Sequence, residues 1–335
     1  MYINPQVSFI IPAYNAENTI KDCVNSILKI KNYDIEVIVI DDGSQDNTLK
    51  ICDEFCDNRV RVFRQDNSGV SVARNNGISK ARGSYIGFCD ADDMFDAQEM
   101  QDVLLHIREE NDLIMFNVRR SSEVGCFSET LIINEGQYGK AGIDFLRERV
   151  LDVKPYKNWT CKLLQGSVWR YLYKRDMILN AGIFFDKGVP YAEDLCFCLR
   201  VFMKAQNIRV VDKYAYIVNE VQNSASRKLR KNFWGELKQV FDIITMEVGE
   251  RKETLYYHYG KSAIMHYYRY LPVKVARTYA EEVVIDKQFV KAIDSIGFKE
   301  RTIKERFFDW SCKKHFFLGV SFCGEYEKIY WKWIE

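Results

Sequence analysis

The sequence predicts an α/β fold: a doubly wound, mostly parallel sheet with helices on both faces, followed by a mainly helical C-terminal region. Three observations carry that expectation. Short, continuous apolar runs alternate with amphipathic segments through roughly the first hundred residues. Turn-forming and acidic residues close the apolar runs, as in "PAYN", "DDGS" and "DADD". Beyond about residue 222 the rhythm gives way to basic, aromatic-rich helical patterning.

The elements follow in chain order. "VSFIIPAYN" (7–15) is apolar without alternation, the pattern of a strand buried on both faces. "AENTIKDCVNSILKI" places Ile20, Cys23, Val24, Ile27 and Leu28 on one helical face. "IEVIVIDDGS" (35–44) is a second buried strand, "NTLKICDEFC" a helix and "VRVFRQ" a third strand. "SGVSVARNNGISKA" reads as a loop that becomes a helix, and "SYIGFCDADD" as a fourth strand. Further on, "MQDVLLHIREE" reads as helix, "DLIMFNVRR" as strand and "ETLIINEGQYG" as a hairpin or insertion. "VWRYLYKRDMIL" is a strand passing into a helix, "YAEDLCFCLRVFMKA" a buried helix and "IRVVDKYAYIV" the last strand of the unit. Two domains are expected, 1–221 and 222–335, with no Gly/Ser linker to mark the join.

Composition narrows the classes of function. The 335 residues are 47% hydrophobic and 28% charged, ordinary for a chain with a sizeable core. A net charge of +1 gives no reason to expect a nucleic-acid partner. No window reaches the ~20 apolar residues of a spanning helix. "MYINPQVSFIIPAYN" has no basic region ahead of its apolar run and reads as a first strand, not a signal peptide. The ten cysteines form no CxxC pair and several sit in apolar stretches, so reduced thiols and a cytoplasmic location are expected.

In open α/β sheets, ligands bind beyond the carboxyl ends of the strands. Three strand ends bring Tyr14, Asn15, Asp41, Asp42, Asp90 and Asp92 to one edge. Acids so close together repel, and a hard cation such as Mg²⁺ or Mn²⁺, which takes one or two carboxylates plus phosphate oxygens, relieves that repulsion. An acidic turn capping the next helix is the alternative for "DADD". Neither G-x-G-x-x-G nor G-x-x-x-x-G-K-[ST] occurs, which argues against dinucleotide oxidoreductases and P-loop enzymes.

"VSFIIPAYNAENTIKDCVNSIL", "IEVIVIDDGSQDNT", "NSGVSVARNNGISKARGSYIGFCDADD" and "AEDLCFCLRVF" resemble the family 2 inverting glycosyltransferases with the GT-A fold, of the bacterial surface-polysaccharide type. The resemblance spans residues 7 to about 220. It implies a nucleotide site of Pro12, Tyr14, Asn15, Glu17, Asp41, Asp42, Arg74, Asp90 and Ala91. In that site Tyr14 stacks on the base and Asp42 accepts from a base ring nitrogen, which favours uracil with its N3–H over cytosine. Arg74 lies against the base or diphosphate, Asp90 binds the ribose, and Asp92 holds Mn²⁺ or Mg²⁺. Glu193 and Asp194 form the acceptor-side pair, Asp194 as general base with Glu193 orienting the acceptor. For this pair the alternative from the residues alone is helix N-terminal capping.

The implied reaction moves a hexosyl or N-acetylhexosaminyl group from a UDP-sugar to a hydroxyl of a glycan or lipid-linked acceptor. One base suffices for a single inverting displacement, unlike the paired carboxylates of glycoside hydrolysis. A sugar-nucleotide nucleotidyltransferase is an alternative, but "PAYNAENT" lacks the Gly- and Lys/Arg-rich phosphate loop it would need. A catalytically silent nucleotide- or glycan-binding module is another, and the intact "DADD" and "AED" weigh against it.

Trp169 and Arg170 are acceptor-side candidates, with a half-buried strand as the alternative. In the C-terminal third, "YYHYGKSAIMHYYRYLPVKVARTYA" and "FFDWSCKKHFFLGVSF" mix aromatics with Lys and Arg. Peripheral contact with the inner face of a membrane, an ordinary helical core and a homodimer interface all stay open there. His258 and His266 are expected on helix faces and not as metal ligands.

Overall fold

The computed structural model describes residues 5–122, 125–129, 134–151, 166–219, 229–249, 253–295 and 308–312. The chain divides into two compact units, Met1–Val221 and Gln222–Glu335. The first contains β1 (Val7–Ala13), α1 (Ile20–Leu28), β2 (Ile35–Asp41), α2 (Thr48–Asp53), β3 (Val60–Arg64), α3 (Val70–Lys80), β4 (Tyr85–Phe88), β5 (Met94–Phe95) and α4 (Ala97–Leu104). It continues through β6 (Leu113–Ser122), β7 (Gly125–Glu129), β8 (Gly136–Tyr138), α5 (Lys140–Leu151), β9 (Tyr171–Lys174), α6 (Arg175–Asn180), α7 (Glu193–Lys204) and β10 (Ile208–Asn219). A short 3₁₀ turn, Val168–Arg170, precedes β9.

The sheet runs β3-β2-β1-β4-β9-β6-β10-β5, with β7 on β6 and β8 on β10. Pairing is parallel through β3, β2, β1 and β4, and again between β6 and β10. β9 enters antiparallel between β4 and β6. The stretch expected as a hairpin or insertion, 129–139, supplies β8 and only the last residue of β7; both strands extend the sheet in antiparallel pairing. Residues 130–133 between them lie outside the described residues, as do Cys161 and Cys323.

Why the first strands are apolar throughout is visible in the packing. Phe9, Ile11 and Ala13 of β1 join Val37 and Val39 of β2 and the inner face of α1 in one core. Ile10 of β1 and Ile38 and Ile40 of β2 join α3, α7 and β9 in a second core on the opposite face. Alternate side chains of a strand point to opposite faces, so a strand between two cores has no polar side to show. Each fully buried Ile, Val or Phe contributes about 1.5–3 kcal/mol. Gly77 lets α3 lie close on β1, since an added Cβ would stand 2.2 Å from Ile10 Cγ2. That approach sets where Arg74, one turn earlier, projects.

The second unit contains α8 (Phe233–Val248), α9 (Glu253–Tyr270), α10 (Val273–Val284) and α11 (Lys287–Ser295), with 308–312 also helical. Trp234, Phe241, Tyr256 and Phe289 pack edge to face in its core. His266 is half-buried here, its Nε2 accepting from Arg230 N at 3.0 Å. Burial, with Arg230 and Arg269 nearby, pushes it down to about 4, a neutral core histidine. His258 lies in α9. No described helix is long and apolar enough to cross a membrane.

Candidate active site

Each acidic strand end has a different local fate. Asp41 is fully buried. It braces the turn after β2, accepting from Ser44 N at 3.4 Å and lying 3.7 Å from Arg64 Nε. It was expected in the nucleotide site, and here its carboxylate faces Ser44 and Arg64. Gly43 makes the turn possible with φ +73°, and a Cβ there would stand 2.8 Å from Asn67 N.

Asp42, next along, points its carboxylate at the start of α3. Oδ1 accepts from Ser68 N at 2.8 Å and from Gln65 Nε2 at 2.7 Å, while Oδ2 accepts from Gly69 N at 2.8 Å. A carboxylate at a helix N-terminus meets unpaired N–H groups and the positive end of the helix dipole. Arg74 lies five residues beyond Gly69, about 7.5 Å further along the helix axis.

Asn15 and Glu17 lace two loops together. Asn15, in the left-handed region at φ 50°, donates its N–H to Ser44 Oγ at 3.0 Å and accepts from Gln45 N at 2.8 Å. Glu17 accepts from Asn47 N at 3.0 Å and Asn47 Nδ2 at 2.8 Å. Tyr14 stands 48% exposed beside them, and Pro12 remains in β1 paired with Ile40. Ala91 packs partly against the core beneath the acidic loop.

Arg74 is the centre of the arrangement. Only 3% exposed, its guanidinium gives Nη2 to Asp90 Oδ1 at 2.9 Å, and Nη1 to Glu193 Oε1 at 3.0 Å and Asp194 Oδ1 at 2.5 Å. It also lies over the Phe185 ring at 5.2 Å. Four residues picked out in the sequence thus meet at one point, although Arg74 faces carboxylates where a base or diphosphate was expected. Burial works against the Arg74 charge, but Asp194, Asp90 and Glu193 more than offset it and raise its pKa.

Three carboxylates around one guanidinium leave excess negative charge. Burial pushes the Asp194 carboxyl well above the ordinary range; Arg74 opposes this, while Glu193 and Asp90 add to it. Glu193 and Asp194 open α7, and the residue before them, Ala192, is held at φ 55°. A left-handed alanine costs on the order of 1–2 kcal/mol, a strain that fixes how the acidic pair leaves the loop.

The "DADD" loop is held from β10. Tyr216 Oη accepts from Asp90 N at 3.1 Å and donates to Asp93 Oδ2 at 2.8 Å. Asn219 donates its N–H to Asp93 Oδ1 and its Nδ2 to the Asp92 carbonyl, both at 2.8 Å. Asp93 is therefore a buried anchor, pushed up to about 8 by burial and then by Asp90 and Asp92. Asp92 is half-buried, and burial followed by the charge on Asp90 raises its pKa. A cation would relieve that repulsion. Among the described residues no three His, Cys, Asp or Glu side chains cluster to hold a metal. Asp90 and Asp92 are the side chains that would hold such an ion, since Mg²⁺ and Mn²⁺ take one or two carboxylates with the rest from phosphate and water.

Trp169 and Arg170 do not form the open acceptor platform expected of them. Trp169 is 8% exposed and stacks on Tyr216 at 4.7 Å and 3°. Arg170 is 3% exposed, its guanidinium 5.2 Å from the Trp169 ring. Gln65, Ser68, Tyr216 and Asn219 escaped the sequence reading. Only Ser68-Gly69 carried a signal, since a helix start beside an acidic strand end invites an anion. Tyr216 lies 126 positions from its partner Asp90, beyond any local pattern.

The sequence pattern described as Glycosyl transferase family 2 matches residues 8–159. The uncharacterized glycosyltransferase EpsJ of Bacillus subtilis (strain 168) is 34% identical over 263 residues, 76% of this chain and 71% of EpsJ. The fold is similar to that of S. aureus TarS 1-349, with a TM-score of 0.66 at 18% identity, covering 96% of this chain and 90% of that one. Against TarS 1-349 in complex with UDP-GlcNAc the TM-score is 0.63 over the same shares, again at 18% identity.

Proposed function

Because the chain belongs to glycosyl transferase family 2, we propose that it moves a sugar from a UDP-sugar to a hydroxyl of a glycan or lipid-linked acceptor, with inversion at the anomeric carbon. The observation that carries the reading is the meeting of Asp90, Glu193 and Asp194 on Arg74. In this reading Asp90 serves the donor and Glu193 and Asp194 the acceptor, and all three lie within one guanidinium's span.

In this reading the exposed Tyr14 ring covers the uracil and Asp42 accepts its N3–H. Asp90 takes the ribose hydroxyls. Asp92, with Asp90 beside it, would hold a divalent cation against the diphosphate. Such an ion, when bound, offsets the negative charge that develops on the departing UDP.

Asp194 removes the acceptor hydroxyl proton as that oxygen attacks the anomeric carbon from the face opposite the diphosphate. Its raised pKa makes it a stronger base than an ordinary carboxylate, and Glu193 orients the acceptor. The bond to the diphosphate oxygen breaks as the new glycosidic bond forms, and the proton remains on Asp194. Similarity to a structure solved with UDP-GlcNAc supports a UDP-linked donor.

A panel of UDP-sugars scored for UDP release, with and without Mn²⁺, tests the reading. Metal-stimulated release from at least one UDP-sugar is expected; absence of UDP release across the panel, with acceptor glycans supplied, overturns it.

A further inference from the structure

We propose that Gln65 and Asn76 form a positioning relay that holds the Asp42 carboxylate as a fixed acceptor and so selects the nucleobase of the donor; this rests on the UDP-sugar reading of the site. An ionised carboxylate has no proton to give, so Gln65 must turn its Nε2 toward Asp42. Its Oε1 is then left for Asn76, whose Nδ2 donates to it. Neither amide can flip without setting oxygen against oxygen. The backbone N–H groups of Ser68 and Gly69 complete the cradle at the start of α3.

Counting acceptor sites gives the consequence. Oδ1 receives two donors, from Gln65 and Ser68, and Oδ2 receives one, from Gly69. A carboxylate offers about four lone-pair sites, so one remains, on Oδ2. A base presenting a ring N–H satisfies it, and uracil N3–H does. Cytosine N3 carries a lone pair instead and meets that oxygen with repulsion, so the cradle both rewards uracil and penalises cytosine. Gln65 and Asn76 act through Asp42 and not on the base.

Calorimetry of the full chain with UDP and with CDP tests this, using wild type, Gln65→Leu, Gln65→Glu and Asn76→Ala. Wild type is expected to prefer UDP by about a hundredfold or more. Gln65→Leu should cut that preference about tenfold, and Gln65→Glu, which sets a second carboxylate against Asp42, should cut it further. Asn76 is exposed, so Asn76→Ala keeps the fold and should cut the preference about threefold. A merely structural role would weaken both nucleotides alike, so a UDP/CDP ratio unchanged in Asn76→Ala and Gln65→Leu overturns the relay while leaving the UDP reading standing. A wild type that binds the two nucleotides equally overturns both.

Discussion

Two carboxylate clusters, one around Glu36 near the amino ends of β1 and β2 and one around Arg74 beyond the carboxyl end of β4, differ in charge balance. At the amino ends of β1 and β2, Glu36 accepts from Ser8 Oγ at 2.6 Å, Arg82 N at 2.7 Å and Arg61 Nη1 at 2.7 Å. One carboxylate faces one guanidinium and neutral donors, and nothing is left over. Beyond the carboxyl end of β4, one guanidinium faces Asp90, Glu193 and Asp194. A buried network in balance is a fastener, whereas one carrying surplus charge is prepared for a proton or a cation to arrive. The same residue types serve both purposes, and only their ratio separates structure from chemistry.

The contrast can be broken most forcefully at its chemical end. Asp194→Asn should lower turnover about 10²- to 10⁴-fold while UDP affinity by calorimetry stays within a fewfold of wild type. Turnover near the wild-type rate would remove Asp194 from the base role. Next comes Arg74→Met, which strands three carboxylates without their counter-charge. It should cost about 3–5 kcal/mol in urea unfolding at neutral pH. Arg74 is what opposes the raised Asp194 carboxyl, so without it Asp194 would be raised further above its value in the unfolded chain. The deficit should therefore shrink as pH falls and deepen as pH rises.

Glu36→Gln tests the balanced end. Losing the charge opposite Arg61 should cost about 1–3 kcal/mol of stability, with UDP-sugar turnover unchanged once the protein is folded. A collapse of turnover in the folded variant would erase the distinction between the two clusters. The smallest effect is a shift in a pH profile. Because Asp194 is raised, the acid limb of turnover should lie above the ordinary carboxylate range, activity being lost as pH falls through it. Glu193 contributes to that elevation, so Glu193→Gln should move the limb downward, measured as turnover against pH. An upward shift would contradict the proposed charge crowding.

How much of this was legible beforehand varies element by element. β1, β2 and β4 announce themselves as mostly apolar runs, broken only by Ser8 and Glu36 near their amino ends, because both of their faces are covered. The acids that follow them mark the ligand edge for the same reason: polar side chains gather where a buried strand leaves the core. β9 is different. "YLYK" reads as a strand, but its antiparallel place between β4 and β6 depends on partners far away in sequence. Trp169 misled because an aromatic beside an arginine looks alike whether it covers a sugar or stacks on Tyr216. Asp41 and Asp42 are adjacent and chemically identical, yet one braces a turn and the other faces the start of α3.

From the chain's order of residues alone came the α/β class, the family, and the edge where the acids collect. Periodicity and strand-end composition are local properties, and burial on two faces imprints them directly. Which acid meets which partner was decided only by the folded chain. Arg74 finds Glu193 and Asp194 across 119 and 120 positions, through the closeness of α3 to β1 and the angle at which α7 begins. Contacts of that reach depend on how whole elements pack, and no window of neighbouring residues contains that information.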